Sequence, residues 1–292
     1  MRRLQFIELH EQRWFPSSLR DGVTDALQFG VNLSGLYGTV APLLRRALDL
    51  AGSGRSGDQS KAGISVVDMC SGGGGPWVDL SRRLESPGIR IWLTDKYPNT
   101  PALEAVSAAS ENRIAFYPGS VDAMKVPVEL KGLRTMFTSF HHFSPKDACA
   151  ILRNAVEANE GIGIFEISQR TPATMGIVFA YVFLLSVCSV WIRPFRWSRL
   201  LWTYLIPIIP LVLTFDGVVS CLRTYRPVEL REMVGGLASE DQYQWEMGVL
   251  STGLVPITYL IGYPTSAVPE IHSITIQEQW QTKKAIVADG AL

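Results

Sequence analysis

Residues Ile64 to Trp77 read ISVVDMCSGGGGPW, an apolar run that ends in an acid and is followed by four consecutive glycines. Such a glycine run is either a slack linker or a backbone shaped to lie against a ligand, because a missing Cβ both loosens the chain and permits close approach. The surroundings separate the two. Short strand-like runs alternate with helical patterns in WVDLSRRL, IRIWLTD, TPALEAVSAAS, IAFYPG, TMFTSF, PKDACAILRNAVEA and GIGIFEIS. That alternation predicts a parallel sheet flanked by helices. A strand ending in an acid, then a glycine turn and a helix, brings a ligand against bare backbone at the carboxyl edge of such a sheet.

Two further acids fall in step with the first. Asp95 closes IWLTD at the spacing at which a carboxylate meets ribose hydroxyls in a nucleotide site, and Asp122 in GSVDAM follows the third strand, where an adenine ring would lie. Each acid alone also fits a strand terminator or a helix cap. In order, VVDMCSGGGGPW, IWLTDKYPN, YPGSVDAM and TMFTSFHHF resemble the successive motifs of class I S-adenosylmethionine-dependent methyltransferases, from about Gly63 to Glu166 and again from Asp216 to Pro264. In that family the first loop reads acid, apolar, Gly, any, Gly, any, Gly. Asp68, Gly72 and Gly74 match, and Cys70 replaces the first glycine.

The resemblance implies S-adenosyl-L-methionine as cofactor and an α/β fold, a Rossmann-like doubly wound sheet, mostly parallel, with a closing antiparallel hairpin (YQWEMGVL and ITYLIGYP). It implies that Asp68, Cys70, Ser71, Gly72 and Gly74 form the loop past the methionine moiety. Asp95 with Lys96 would take the ribose, Asp122 and Ala123 would flank the adenine, and Ser139 would lie at the next strand end. A dinucleotide dehydrogenase on the same scaffold fits less well, since Gly-x-Gly-x-x-Gly is not met cleanly.

Methyl transfer from a sulfonium requires alignment, and a base only if the acceptor carries a proton. His141 and His142 in SFHHF are the candidate bases, because imidazole titrates near neutral pH; capping of the next helix is the competing reading. The candidate substrate-facing residues are Trp14 and Phe15 in the leading segment, Phe140, and Glu166 and Arg170 behind the fifth strand. Core packing of the aromatics and a surface ion pair for Arg170 are their competing roles. An O-methyltransferase of a small secondary metabolite, with a hydroxyl or carboxylate acceptor, is the expected activity. A lipid or isoprenoid acceptor and a catalytically silent module are the alternatives.

The organisation read from the chain has four parts: a helical lid over residues 1–52, the cofactor domain over 63–170 and 216–264, an apolar insertion over 171–215, and a tail over 265–292. The lid contains two helices broken around Gly35 and Gly38. In the insertion, Gly176–Ile192 and Leu200–Phe215 carry no charge and flank RPFRWSR. Each is close to the roughly 17 residues that a membrane span requires. Placing the arginines outside opposes the positive-inside bias, and Pro207 and Pro210 interrupt the second run. A homodimer through 171–215 is therefore favoured over membrane contact.

The 292 residues carry 27 basic and 27 acidic side chains, so no net field draws nucleic acid, and 47% hydrophobic content supports a packed core. The four cysteines lack CxxC spacing, which argues against a zinc site and a disulfide framework, and no metal is expected. Charged residues interrupt the first sixteen positions, against an export signal. A cytoplasmic protein, with possible membrane association, is the expectation.

Overall fold

The computed structural model describes residues 1–53, 65–84, 88–110, 113–237, 242–253 and 255–265. The expected linker, apart from its first three residues, and the tail after Thr265 lie outside them. Seven strands form one sheet in the order β3-β2-β1-β4-β5-β7-β6. They are β1 (Ser65–Met69), β2 (Arg90–Thr94), β3 (Ile114–Phe116), β4 (Leu133–Phe137), β5 (Ile162–Glu166), β6 (Tyr243–Leu250) and β7 (Ile257–Pro264). The first five are parallel, whereas β7 runs antiparallel to β5 and pairs with β6 as the predicted hairpin. Strands β1 and β5 are buried along almost their whole length, which is why both read as continuous apolar runs.

Helix α1 spans Ser17–Ser34 and α2 spans Ala41–Ser53, divided at Gly35 with φ 54°, a left-handed position that suits glycine. Leu44 and Leu48 of α2 are fully enclosed in the core with Val66, Leu133 and Ile261 of the sheet, so α2 is part of the sheet's packing layer. Helices α3 (Trp77–Arg83), α4 (Thr100–Ala109) and α5 (Pro145–Glu157) follow β1, β2 and β4, and α9 (Pro227–Val234) precedes β6. Among them α5 and α9 cover one face, with Ile151, Leu152, Leu230 and Val234 in a single cluster.

The insertion consists of α6 (Pro172–Cys188), the short α7 (Trp197–Leu200), a π-helical turn at Leu201–Leu205, and α8 (Ile208–Arg223). The second apolar run is therefore not one straight helix. Pro207 lacks an N–H and forces Ile206 into an extended conformation (φ −126°, ψ 96°), and the chain bends by 79° between the two helical pieces. Among the described residues no single helix is long and apolar enough to cross a membrane. Helix α8 also runs without a break through the boundary drawn at residue 216.

Helices α6 and α8 pack on each other and on α1. Val23 and Ala26 meet Val182, Leu185, Ile209 and Leu213 in one apolar cluster. The close approach depends on glycine: a Cβ on Gly30 would lie 1.8 Å from the Tyr181 hydroxyl and one on Gly22 2.6 Å from Ile209 Cδ1. The arginines of the connecting segment also turn inward. Arg199, 1% exposed, donates to Asp25 Oδ2 at 2.8 Å and to the carbonyls of Ile192 and Pro194, and Arg196 shares the same carboxylate at 2.9 Å. Losing Arg199 leaves Asp25 with Arg196 but removes the donor to the Ile192 and Pro194 carbonyls and empties a fully buried position. Arg199→Ala is expected to lower the unfolding free energy by about 2 kcal/mol. A denaturant midpoint equal to the parent's would show that the pair does not hold the insertion to α1.

Candidate active site

The glycine loop is built on a buried carboxylate. Asp68 lies opposite Leu93 of β2 and Thr135 of β4 in the centre of the sheet. Its side chain accepts from Ser71 Oγ and Thr135 Oγ1, both at 2.7 Å. Its carbonyl accepts from Thr94 Oγ1 at 2.8 Å, while Ser71 N donates to the Thr94 carbonyl at 3.0 Å. Burial pushes the Asp68 carboxyl up to about 6, against the opposing pull of these hydroxyl donors. Asp68 therefore fixes the turn from inside.

Past it the backbone enters the left-handed region repeatedly, at Cys70 (φ 57°), Gly72 (52°), Gly74 (107°) and Gly75 (57°). Cys70, which carries a Cβ, thus holds a left-handed conformation at a cost of about 1 kcal/mol. The glycines divide into two kinds. A Cβ on Gly74 would lie 2.6 Å from Val106 Cγ2, whereas one on Gly72 meets nothing within 4 Å, so backbone is bare there to open space. Gly72 N donates to Asp95 Oδ2 at 2.9 Å and Tyr97 N to Asp95 Oδ1 at 2.8 Å. Asp122 accepts from Met124 N at 3.0 Å and pairs with Lys96 at 2.8 Å, Ala123 is buried beside it, and Gln28 of α1 donates to the Gly75 carbonyl at 2.8 Å. Asp95 and Asp122 lie at the rim, and Asp68 does not.

A second polar group lies where β4 and β5 end. His141 is fully enclosed, with Nδ1 2.7 Å from Glu166 Oε2 and Nε2 3.5 Å from Glu8 Oε1. The other Glu166 oxygen accepts from the backbone N–H groups of Phe140 and His141 at 2.7 and 3.2 Å. His142 Nδ1 lies 2.5 Å from Glu11 Oε1 and 3.6 Å from Glu8 Oε2. Arg223 of α8 reaches both glutamates at 3.3 Å, and Ser220 Oγ donates to Glu8 Oε1 at 2.9 Å. Burial disfavours charge on His141, but the carboxylates of Glu166 and Glu8 outweigh it and push its pKa up to about 10. Burial likewise opposes ionisation of Glu8, yet the two histidines and Arg223 hold its carboxyl far below the usual range.

Between α1, α6, α8 and the sheet edge lies an apolar cavity of about 170 Å³, lined among others by Tyr37, Thr138, Tyr181, Leu213, Ser220 and Cys221. Among the described residues no acidic, basic or histidine side chain lines it. The Tyr37 hydroxyl is hydrogen-bonded to Thr138 Oγ1, and burial raises the Tyr37 phenol above its ordinary range.

The sequence-selected residues are spread over several surroundings. Asp95, Lys96, Asp122 and Ala123 gather beside the glycine loop, whereas His141, His142 and Glu166 form the second group. Ser139 is buried and Phe140 is packed against Tyr225. Trp14 is exposed, Phe15 packs into the helical cluster, and the buried Arg170 pairs with Glu229 and the Met1 carbonyl. None of Trp14, Phe15, Phe140, Glu166 or Arg170 lines the cavity. Glu8, Glu11, Tyr37, Thr138, Ser220 and Arg223 went unselected. The charged cluster in FIELHEQR was the available signal for the first two, and the others carry none.

No family model matches the chain, and no curated protein does. Solved structures do match. A putative O-methyltransferase from Nostoc punctiforme is 14% identical with a TM-score of 0.48, over 89% of this chain and 64% of that one. The plantazolicin methyltransferase BpumL, in complex with SAH, is 11% identical with a TM-score of 0.45, over 87% and 94%. A chain described as a putative Zn-dependent alcohol dehydrogenase from Rhodobacter sphaeroides is 10% identical with a TM-score of 0.41, over 75% and 97%. The chain spans 57%, 64% and 55% of the length of three of the solved chains that it matches.

The Asp68 environment has a consequence for stability. Between its ordinary value of 3.8 and about 6, the native chain holds a proton that the unfolded chain has released. That contribution is therefore full at low pH and is lost as pH rises through this window. Denaturant midpoints at pH 4 and pH 7 are expected to differ less in Asp68→Asn than in the parent. An identical pH slope would contradict a raised carboxyl at this position.

Proposed function

We propose that the chain is a methyltransferase that uses S-adenosylmethionine to methylate an oxygen of a small molecule with an apolar body. The observation that carries this reading is the placement of an open glycine backbone and an uncharged cavity at the ends of adjacent strands. The loop leaves β1, and Thr138 in the cavity wall leaves β4, its neighbour in the sheet.

The residues present fit the cofactor. Gly72 offers backbone that a side chain would cover, and each Asp95 oxygen holds one backbone N–H, which leaves acceptor capacity for ribose hydroxyls. Gly72 to Gly74 would pass the methionine moiety, and Asp122 with Ala123 or Met124 would flank the adenine. When bound, the cofactor supplies an electrophilic methyl group on a sulfonium. The chain's own task is to exclude water and align the acceptor.

Closed off from the cavity, with Nδ1 held by Glu166, His141 does not reach an acceptor there, so it acts in this reading as a brace for the sheet edge. Tyr37 and Thr138 are hydroxyls that orient an acceptor oxygen. The acceptors that suit such a site ionise without a protein base, an acidic phenol or a carboxylic acid. Asp95→Ala is expected to weaken S-adenosylmethionine binding about tenfold or more by calorimetry, the loss of hydrogen bonds to a charged acceptor. Unchanged affinity would remove the cofactor assignment, and tight NAD binding in its place would move the chain to the dehydrogenases. Labelled cofactor with a panel of phenols, carboxylic acids and lipids identifies the acceptor, and binding without any turnover would mark a silent module.

One observation favours a variant of this reading. Phe183, Trp197 and Leu205 of the insertion are 72%, 78% and 75% exposed, and Phe183 lies on α6, which also walls the cavity. A second copy of the chain covers this face in our reading, since Arg196 and Arg199 are already committed to Asp25 and not to lipid headgroups. Velocity sedimentation without detergent is expected to show a species of twice the 32.3 kDa chain mass. A monomer that floats with lipid vesicles would assign the face to a membrane and the acceptor to a lipid or isoprenoid.

A further inference from the structure

We propose that Glu8, His141 and His142 bind one divalent transition-metal ion of the zinc class, with Glu11 on its open side. One ligand atom from each of the three residues lies within 4.8 Å of the others. His141 Nε2 is 3.5 Å from Glu8 Oε1 and His142 Nδ1 is 3.6 Å from Glu8 Oε2. Zinc bonds of about 2.1 Å arranged tetrahedrally put ligand atoms about 3.4 Å apart, so these separations match the edges of a coordination shell. They are too long for good hydrogen bonds.

The second observation is the orphaned imidazole nitrogen. His141 is 1% exposed, and its Nε2 has no hydrogen-bond partner among the described residues. A buried nitrogen without a partner is costly, and this one faces Glu8, while His142 Nδ1 lies between Glu11 at 2.5 Å and Glu8 at 3.6 Å. The far side of the His141 ring already has the support that metal-binding histidines use. Nδ1 donates to Glu166 Oε2 at 2.7 Å, which fixes the ring and leaves Nε2 to face the site.

Charge and donor type agree with this assignment. Glu8, Glu11 and Glu166 bring three carboxylates against the Arg223 guanidinium, 3.3 Å from Glu8 and Glu11, and a divalent ion held by neutral imidazoles closes that balance. Two nitrogens with carboxylate oxygens suit zinc-class ions, whereas magnesium and calcium take oxygen shells. The ligand set contains no cysteine, so the cysteine spacing does not report it. The ion would clamp the leading segment at Glu8 to the turn after β4. Through Ser220, which bonds Glu8 and lines the cavity, the clamp would also stiffen the cavity wall. This site does not depend on the methyltransferase reading.

Tag-free full-length protein, stripped with EDTA and checked by circular dichroism, is titrated with zinc chloride by calorimetry and with cobalt chloride by absorbance. One equivalent of zinc and the intense visible bands of tetrahedral cobalt are expected. Glu8→Gln and His142→Ala should each abolish the cobalt bands, and Glu166→Gln should weaken zinc about tenfold through the supporting hydrogen bond. Magnesium chloride should not compete. Folded parent protein that takes up no zinc at micromolar concentration overturns the proposal, as does stoichiometric binding that survives in both Glu8→Gln and His142→Ala.

Discussion

A single buried carboxylate sets the geometry on which the rest of the edge depends. Asp68 ends β1 in the middle of the sheet and receives the hydroxyls of Ser71 and Thr135, while its carbonyl receives that of Thr94. Three strands are thereby registered to one residue, and the chain leaving it must turn. With Ser71 folded back onto Asp68, the chain turns through left-handed conformations at Gly72, Gly74 and Gly75, which explains three of the four glycines without ligand contact at every position. Gly74 is glycine because Val106 leaves no room, and Gly72 because open space beside Asp95 is worth keeping bare.

The leading segment is bound to the opposite part of this edge by charge more than by apolar packing. Asp216 accepts from the backbone N–H groups of Leu9 and His10 at 2.7 and 3.1 Å, and Glu8 sits among His141, His142 and Arg223. Arg3 adds a bond to the Phe143 carbonyl at 2.9 Å and lies over the Tyr225 ring. Buried charges are expensive unless mutually satisfied, so this group holds one arrangement and tolerates few others. It ties residues 1–11 to α8 and to the turn after β4.

The fold was largely legible because its strands are short apolar runs with acids at their carboxyl ends, separated by helices of ordinary amphipathic spacing. Asp95 and Asp122 could be placed for the same reason: a strand end has one position in a parallel sheet. The histidine cluster could not, since SFHHF locates two rings at an edge but does not reveal that Glu8, about 130 residues earlier, closes over them. The surroundings of Trp14, Phe140 and Arg170 were not legible, because an aromatic or an arginine near a strand end reads the same whether it faces substrate, core or a partner such as Glu229. The insertion was legible as apolar, but its bend at Pro207 and its docking onto α1 through Gly22 and Gly30 depend on complementary surfaces that composition does not encode.

The uncharged cavity wall constrains the chemistry in a way that the strand-end motifs do not. An enzyme that must abstract a proton from a weakly acidic hydroxyl needs a base within hydrogen-bond reach. Here the nearest histidines are enclosed among carboxylates, and the wall offers only hydroxyls and a cysteine to an incoming molecule. Tyr37, kept protonated by burial, can donate to an acceptor oxygen that is already anionic but cannot generate one. Under the proposed methyltransferase reading, the acceptor would arrive ionised, carry its apolar body into the space between α1, α6 and α8, and leave its oxygen beside Thr138 at the end of β4. The selectivity then lies in the helices that close the cavity, and the strand ends serve whichever acceptor those helices admit.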